Sequence, residues 1–432
     1  MKSMLVVASI SSFTALGCRY PNCDDIVNNL CAANMTLDDD AGTADVASTA
    51  GLCTSSSDCD AAMVCDVSGT KRCVQCTPDL PQACTGKTPS CGPDQQCHPC
   101  ARDSDCTLTN LCLSDGSCAA DADFAYADAD GTANDLCARE APCTSLAKAL
   151  ATGRPYVRVR GTIDEAVVIN GGRVVTIFGG ERALLTNRTG TTAALTITDD
   201  ATAVDIHDLA IGDIPNKQVY GILIPPTGNP SLSLTRVTIA NNSGLGVSAT
   251  SGTLAMTQSR VSNNRGGGMS LGQNVKFMIV ANVFVDNGST GSAVGALDIS
   301  AYESMVNRLD FNTFYQNRTQ SGLGSTINCE AGDFTARYNI VVGTDTVTNP
   351  EQLGGSCEHV YSIVQPGTLP DGAGNKAIDP LFKNPALRDV HLDAKSPAIR
   401  AAPDADLSGL AARDFENNLR TSPATLGAYQ AP

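Results

Sequence analysis

The residues best suited to acid–base chemistry cluster around one histidine, His207, which Asp205 and Asp208 flank. A histidine held by carboxylates can act as a general base, because the carboxylate orients the ring and stabilises its charged form. Isolated acids on an acidic protein are more often solvated turn residues. We therefore predict that His207 is a surface ion-pair partner, and Asp205, His207 and Asp208 stay weak catalytic candidates. Further carboxylates lie nearby in the sequence, at Asp199, Asp200 and Asp213.

Cysteines are the other residues with possible chemistry, and twelve of the 19 fall between residues 53 and 118. They form three sets of four that begin 23 and 24 residues apart, and each unit has few large apolar residues. Disulfides must then replace a core, so we predict two bridges per unit with the connectivity open. The sets are Cys53, Cys59, Cys65 and Cys73; Cys76, Cys84, Cys91 and Cys97; and Cys100, Cys106, Cys112 and Cys118.

Two sharper interpretations compete for some of these cysteines. Cys73, Cys76, Cys97 and Cys100 have nearly the spacing of a zinc ribbon, but they straddle all three units. Cys97 and Cys100 also have redox-dithiol spacing, without a surrounding strand–helix pattern. We favour disulfides and predict no metal.

The first residues indicate export. Lys2 precedes an apolar stretch, Met4–Leu16, that is too short to span a bilayer. Residues 1–17 therefore read as a signal peptide, and Ala15-Leu16-Gly17-Cys18 resembles the lipobox of bacterial lipoproteins. That resemblance implies lipidation of Cys18, which leaves an even number of cysteines, with plain secretion as the alternative. We predict a lipid-anchored tether over residues 18–52 and placement at the outer membrane or cell surface.

Composition limits the partners and the fold. The net charge of −16 disfavours nucleic acid, because phosphates would be repelled. No tryptophan, 4% aromatic residues and 39 glycines are typical of stacked β-structure with many tight turns. We predict no cofactor, and the oligomeric state stays open.

The elements that position these residues follow from a repeat. An eight-residue apolar frame recurs six times at intervals of 22 to 30 residues, and its last column and the column five residues before it are apolar in every copy. Period-two alternation inside a repeat of this length predicts short strands stacked turn upon turn. The copies are Val204–Ile211, Leu232–Ile239, Leu254–Val261, Phe277–Phe284, Asn307–Phe314 and Phe334–Val341.

Polar residues share the register of the frame. Asparagines recur in two columns, where we predict stacked amides at corners with left-handed backbone. Cys329 and Cys357 lie one repeat apart, and neighbouring strands about 4.8 Å apart permit a disulfide between them. The columns are Asn242, Asn264, Asn287 and Asn317, and Asn282, Asn312 and Asn339.

Residues 119–150 precede the repeats as their entry. Thr144 or Ser145 can cap a short helix whose apolar face is Leu146, Ala149 and Leu150. We predict that this helix covers the open N-terminal end of the stack, with Cys137 and Cys143 bonded at its start.

Together these features resemble the right-handed parallel β-helix repeat proteins of the pectate-lyase-like superfamily, of the bacterial surface type. The resemblance implies an all-β fold, a β-helix over residues 151–377 and a C-terminal motif and cap over 378–432. Relatives usually carry an acid where Arg400 stands. The motif reads Ile378–Phe382, Asp389–Leu392, Ser396–Ile399 and Leu426–Tyr429.

Two functions remain open. The first is a non-catalytic binding, adhesive or structural role, towards polysaccharide, envelope or extracellular material or a surface protein, with long loops forming one contact face. The second is a polysaccharide lyase or glycoside hydrolase for uronate-type polymers, and only the lyase would use calcium. Candidate carboxylates fall in different columns, and we expect no catalytic set from them. They are Asp286, Asp298 and Asp310, while the tyrosines available for sugar stacking are Tyr220, Tyr302, Tyr315 and Tyr338.

Overall fold

A computed structural model describes residues 52–80, 83–214, 219–302, 304, 306–319, 326–330, 334–343, 352–366 and 371–431. The chain divides into two compact units, Met1–Asp121 and Ala122–Pro432. Within the described ranges, no helix is long and apolar enough to cross a membrane. The predicted signal peptide, the lipidation site Cys18 and most of the tether lie outside the described residues.

The cysteine-rich unit is three copies of one disulfide pattern, in which the first cysteine of each set bonds the third and the second bonds the fourth. Its strands are two-residue pairs, β1 (Val64–Cys65) with β2 (Cys73–Val74) and β3 (Ser90–Cys91) with β4 (Cys97–His98). The bridges are Cys53–Cys65, Cys59–Cys73, Cys76–Cys91, Cys84–Cys97, Cys100–Cys112 and Cys106–Cys118.

This pairing excludes both sharper interpretations of these cysteines, because all four sulfurs of the zinc-ribbon set are in disulfides and Cys97 does not bond Cys100. The aspartate of the repeated Ser-Asp-Cys sequence accepts hydrogen bonds from the backbone at the start of its own unit. Asp58 accepts hydrogen bonds from the backbone N–H groups of Thr54 and Ser55, and Asp105 does the same for the start of the third unit. Disulfides at this density belong to an oxidising compartment, so the protein is an exported one.

The second unit is a parallel β-helix with three faces. We call these faces Face A, Face B and Face C, and every strand pairs in parallel with the strand of the same face one turn away. Two long strands, β17 (Leu245–Thr257) and β19 (Gly267–Val280), each run continuously from Face C into Face A. Face A holds β5 (Phe124–Thr132), β6 (Tyr156–Arg160), β9 (Val174–Gly179), β12 (Ala203–His207), β15 (Ser231–Thr235), β22 (Arg308–Asp310), β25 (Thr335–Arg337) and β28 (Glu358–Val360).

The other two faces complete each turn. Face B holds β7 (Thr162–Asp164), β10 (Leu184–Thr186), β13 (Ala210–Ile214), β16 (Thr238–Asn242), β18 (Arg260–Ser262), β20 (Val283–Val285), β23 (Thr313–Tyr315), β26 (Ile340–Val342) and β29 (Ile363–Gln365). Face C holds β8 (Val167–Ile169), β11 (Leu195–Ile197), β14 (Ile222–Ile224), β21 (Leu297–Ile299), β24 (Ile327–Cys329) and β27 (Leu353–Gly355).

The six predicted copies of the frame lie in register, and the prediction of stacked parallel strands is confirmed. Ile206 pairs with Leu234 and Leu234 with Met256, all three fully buried. The stack also continues beyond the six copies, with Ile177 on one side and His359 on the other. The first of these turns has a longer segment between Face A and Face B, from Ile177 to Leu185, and the last has the polar His359 in the apolar column, so neither fits the apolar frame.

The asparagine columns form buried hydrogen-bonded ladders along the axis. Asn264 Nδ2 donates to Asn287 Oδ1 at 2.9 Å, and Asn282 Nδ2 donates to Asn312 Oδ1 at 3.1 Å. The predicted left-handed backbone at these asparagines is wrong. It belongs to the residue before each one, for example Asn263 with φ 55° and Phe311 with φ 56°. The chain turns at that preceding residue. The side-chain amide of the asparagine that follows points inward and forms hydrogen bonds with backbone groups that the turn leaves unpaired.

Helix α1 (Leu146–Ala151) begins at Ser145, whose side chain accepts a hydrogen bond from the backbone N–H of Lys148. Leu146 is fully buried and the helix contacts β5, β6 and β8. Glu165 receives the N–H groups of Leu146 and Ala147, which places a negative charge at the helix start. Its role as a cap of the stack stays a prediction. Disulfides join Cys137 to Cys143 and Cys329 to Cys357, with Cα atoms 4.7 Å and 5.7 Å apart.

The C-terminal segment, residues 378–431, packs along the side of the stack, and its predicted role as a cap stays a prediction. It carries two strands, β30 (Phe382–Asn384) and β31 (Asp389–Leu392), and the 3₁₀ turns Pro385–Leu387 and Gly409–Ala411. It covers the outward side chains of Face B, such as Val283 and Val285, together with the A–B corner. Buried Arg420 donates to three of the segment's own carbonyls and lies 4.4 Å over the ring of Phe311. The strands of Face B thus bury apolar side chains on both of their sides, inward in the core and outward beneath the segment. This burial explains why the segment lies along the side of the stack.

Candidate functional site

The three weak catalytic candidates do not converge. Asp208 occupies the A–B corner with φ 57° and makes a two-pronged ion pair with Arg236, at 2.6 and 2.8 Å. His207 lies on the outer side of Face A, is 8% exposed and stacks on Phe178 with ring centroids 5.3 Å apart. Asp205 is on the same face, in register with Thr176 and Ser233.

His207 is therefore not a surface ion pair, and that prediction is wrong. Burial and, to a smaller extent, the positive charge of Arg236 lower the pKa of His207 to about 4, although the charge of Asp208 opposes them. A neutral ring stacked in an aromatic layer is the result. The sequence did not reveal this because Phe178 lies one whole turn earlier in the chain.

The later carboxylates lie on three different parts of the stack. Asp286 sits at the B–C corner and pairs with Arg388 at 2.5 Å, while Asp310 lies on Face A and pairs with Arg308 at 2.9 Å. Asp298 alone points outward from Face C, between the inward Leu297 and Ile299. Asp286 and Asp310 are thus occupied by structural pairs.

Face C brings Asp298 together with polar residues of neighbouring turns. The parallel register places Ser270, Asp298 and Asn328 side by side. Asn328 Nδ2 donates to Asp298 Oδ1 at 2.9 Å, and Ser270 Oγ lies 3.5 Å from Asp298 Oδ2. A column of outward polar groups crosses three consecutive turns.

A second column runs beside the first. Ser300 Oγ donates to Glu330 Oε2 at 3.1 Å, which joins the same two turns of Face C that Asp298 and Asn328 join. Burial raises the pKa of Asp298, and the charge of Glu330 adds to the rise, while hydrogen bonds from Asn328 and Ser270 oppose it. Two neighbouring carboxylates, Asp298 and Glu330, therefore face the same surface.

An exposed tyrosine borders these columns at the C–A corner. Tyr302 follows Ser300 by two residues, is 57% exposed and donates its hydroxyl to Gln273 Oε1 at 2.9 Å. Tyr315 and Tyr338 are buried and cannot serve as stacking platforms. We call the outward surface formed by Ser270, Gln273, Asp298, Ser300, Tyr302, Asn328 and Glu330 the Face C strip.

The segment 286–296, which connects β20 to β21, flanks the strip on the side of Face B. Most of the strip was missed at the sequence level. Asp298 and Tyr302 appeared there as isolated candidates, although an apolar–polar–apolar triplet recurs at 269–271, 297–299 and 327–329. That triplet is the signal that a second alignment, on Face C, would have used.

The strip can form hydrogen bonds but offers no converging set of metal ligands. Across the described ranges, the groups of three potential ligands that converge are all cysteines, and their sulfurs are in disulfides. A calcium site of clustered carboxylates would need three such oxygens close together. The two carboxylates present suit hydroxyl groups, which can donate to them.

Comparison with known proteins bears on the fold. Residues 194–356 match the family model described as a right handed beta helix region. The crystal structure of pectate lyase Pel9A resembles the chain with a TM-score of 0.43 and 13% identity, covering 72% of this chain and 100% of that one. No curated protein matches the sequence. The expected all-β, right-handed parallel β-helix is confirmed.

Proposed function

We propose that this right-handed parallel β-helix protein is a lipid-anchored surface protein that holds a neutral polysaccharide on the Face C strip without cleaving it. The observation that carries the proposal is the polar column of Ser270, Asp298 and Asn328, which repeats one outward group per turn. Turns about 4.8 Å apart present a row of hydrogen-bonding groups that a linear polymer can follow along the axis.

The chemistry of the strip suits sugar hydroxyls. Carboxylates accept from hydroxyl groups, the amide of Asn328 both donates and accepts, and the ring of Tyr302 offers an apolar face. Asp298 and Glu330 are acids without a cation among the residues of the strip, so a polyuronate would meet like charges. A neutral polymer is therefore the better ligand.

The anchor belongs to the same proposal. A lipidated Cys18, a tether and a disulfide-stapled module would carry the β-helix away from the membrane, and several acyl chains give lasting attachment. We expect mass spectrometry of the mature N-terminus to find an acylated Cys18. An unmodified N-terminus at or after this residue would mean plain secretion.

Replacing Asp298 with asparagine should weaken binding to a neutral β-glucan or galactan about tenfold, because a charge-assisted hydrogen bond is lost. Tyr302→Ala should weaken it comparably. Affinity electrophoresis of the full chain measures both, with Asp130→Asn as the matched control, since Asp130 is exposed on β5, a Face A strand. Equal retardation of all four proteins, or stronger binding to polygalacturonate than to neutral polymers, would remove the proposal.

Hydrolysis is the second candidate, because Asp298 and Glu330 form an acid pair in which burial and the neighbouring charge raise the pKa of one member. Inverting and retaining glycosidases need such a pair, with one protonated acid and one carboxylate. Release of soluble oligosaccharides that Asp298→Asn abolishes would establish it. A screen with uronate polymers, with and without calcium, separates the lyase, whose products carry a new double bond.

A further inference from the structure

A cavity of about 470 Å³ lies on the outer side of Face B, between β31 and the last residues of the C-terminal segment. It is separate from the Face C strip, and its volume falls within the usual range of small-molecule sites, about 300–1,000 Å³. The polar and aromatic side chains that line it include Lys383, His391, Glu416, Asn418, Tyr429 and Gln430.

His391 is the fixed point of this cavity. Its Nδ1 is 2.5 Å from Asp389 Oδ1 and its Nε2 is 3.0 Å from Glu416 Oε1. Burial lowers the pKa of His391, but the hydrogen bonds and charges of the two carboxylates outweigh it and raise the pKa overall. These two hydrogen bonds therefore fix the positions of the His391 ring and the Glu416 carboxylate at the cavity wall.

Tyr429 supplies a rigid wall next to His391. The two ring centroids are 4.0 Å apart, and Tyr429 is buried with Val283 and Val285 of Face B. Apolar atoms of Leu392 and Leu419 line the same cavity. An apolar wall beside fixed polar groups is the usual composition of a small-molecule site.

We infer that this cavity binds a single sugar ring and is a second carbohydrate site of the molecule. Its lining holds a cation, Lys383, and an anion, Glu416, together with the amides of Asn418 and Gln430, so neither sign of ligand charge is favoured. A pyranose presents hydroxyls that donate and accept, and one face of carbon-bound hydrogens to pack on apolar atoms. The inference rests on the proposed function, since it assigns a second site for the same class of ligand.

Two sites on different faces would let one molecule hold two polymer segments. Linked sites raise the overall avidity well above that of either site alone when both can be engaged. The cavity suits a chain end or a branch sugar, because it is a local pocket of about 470 Å³, whereas the Face C strip is an extended row of polar groups.

Saturation-transfer NMR on the full chain tests the site, with the methyl glycosides of glucose, galactose and N-acetylglucosamine as probes. Glu416→Gln and Lys383→Gln should each reduce the affinity of the preferred glycoside at least fivefold. Glu140→Gln and Lys376→Gln remove matched exposed charges elsewhere and should leave the affinity unchanged. Lys383 is exposed, so its variant keeps the test valid if Glu416→Gln disturbs the segment.

The failures of the two sites can be told apart. Transfer that survives both cavity variants but disappears in Asp298→Asn overturns this inference and leaves the proposed function standing. Loss of glycoside transfer in the cavity variants, with polymer binding indifferent to Asp298→Asn, supports the cavity and overturns the Face C strip. No transfer from any of the three glycosides also overturns the cavity site.

Discussion

Replacing Asn312 with alanine should lower the free energy of unfolding by about 4 kcal/mol, because several buried hydrogen bonds are lost at once. Asn312 Oδ1 accepts from the backbone N–H and the side-chain amide of Asn282, at 2.9 and 3.1 Å. Its Nδ2 donates to the carbonyl of Ile279 at 2.8 Å and to Asn339 Oδ1 at 3.2 Å. Each partner is buried, so none can turn to water instead.

Chemical denaturation with the disulfides intact measures this loss. Asn384→Ala is the matched control, since Asn384 is exposed and its side chain makes no capping bond. Asn312→Asp should also destabilise, because a carboxylate keeps the acceptors but cannot donate to Ile279. A cost for Asn312→Ala below about 1 kcal/mol, the size of an ordinary exposed-site change, would contradict the ladder as a stabilising element.

Acidification should destabilise the β-helix through His359, an inward residue at its C-terminal end. His359 follows Ala336 in a column of apolar side chains, and its Nδ1 is buried without a hydrogen-bond partner. Burial lowers the pKa of His359 to about 4 in the folded protein. The unfolded chain has a histidine pKa near 6.5 and takes up a proton first as the pH falls. Stability contributed by the neutral ring is therefore complete above pH 6.5 and is lost progressively down to about pH 4, by up to about 3 kcal/mol.

The variant His359→Leu isolates this contribution from that of the carboxylates. Leucine matches the apolar column, so we expect the difference in unfolding free energy between the variant and the unaltered protein to grow as the pH falls from 7 to 4. His207→Phe should show a similar trend, since burial also lowers the pKa of His207 to about 4. A difference that stays constant over this pH range would show that neither ring is held neutral by burial.

The repeat was readable from the sequence because the inward columns of Face A and Face B are apolar on each of the six predicted turns. Ile206, Leu234 and Met256 share one column, and no connecting segment interrupts the short corner between these two faces. The asparagines were readable for the same reason, since a buried amide ladder needs the same residue on consecutive turns. The sets of cysteines predicted disulfides, but the connectivity depends on which cysteines lie close together in the folded structure.

The candidate sites depended on tertiary structure. Asp298 and Asn328 are 30 residues apart in the chain and meet because parallel strands of Face C align them. His391 and Glu416 are 25 residues apart in the chain and meet through the fold of the C-terminal segment. Connecting segments between Face B and Face C vary in length, which hides the register of Face C from simple alignment.

The sequence by itself determined the strand period, the disulfide-rich module and the export that so many cysteines imply. These follow from local constraints: side chains alternate along a strand, and a small unit without a core needs covalent bridges. Only the tertiary structure decided that His207 stacks as a neutral ring, that the C-terminal segment covers a side of the stack, and that Face C carries the acid pair. The physical reason is that hydrogen bonds, burial and pKa shifts depend on neighbours one turn or more away, and the lengths of the intervening loops set which residues those neighbours are.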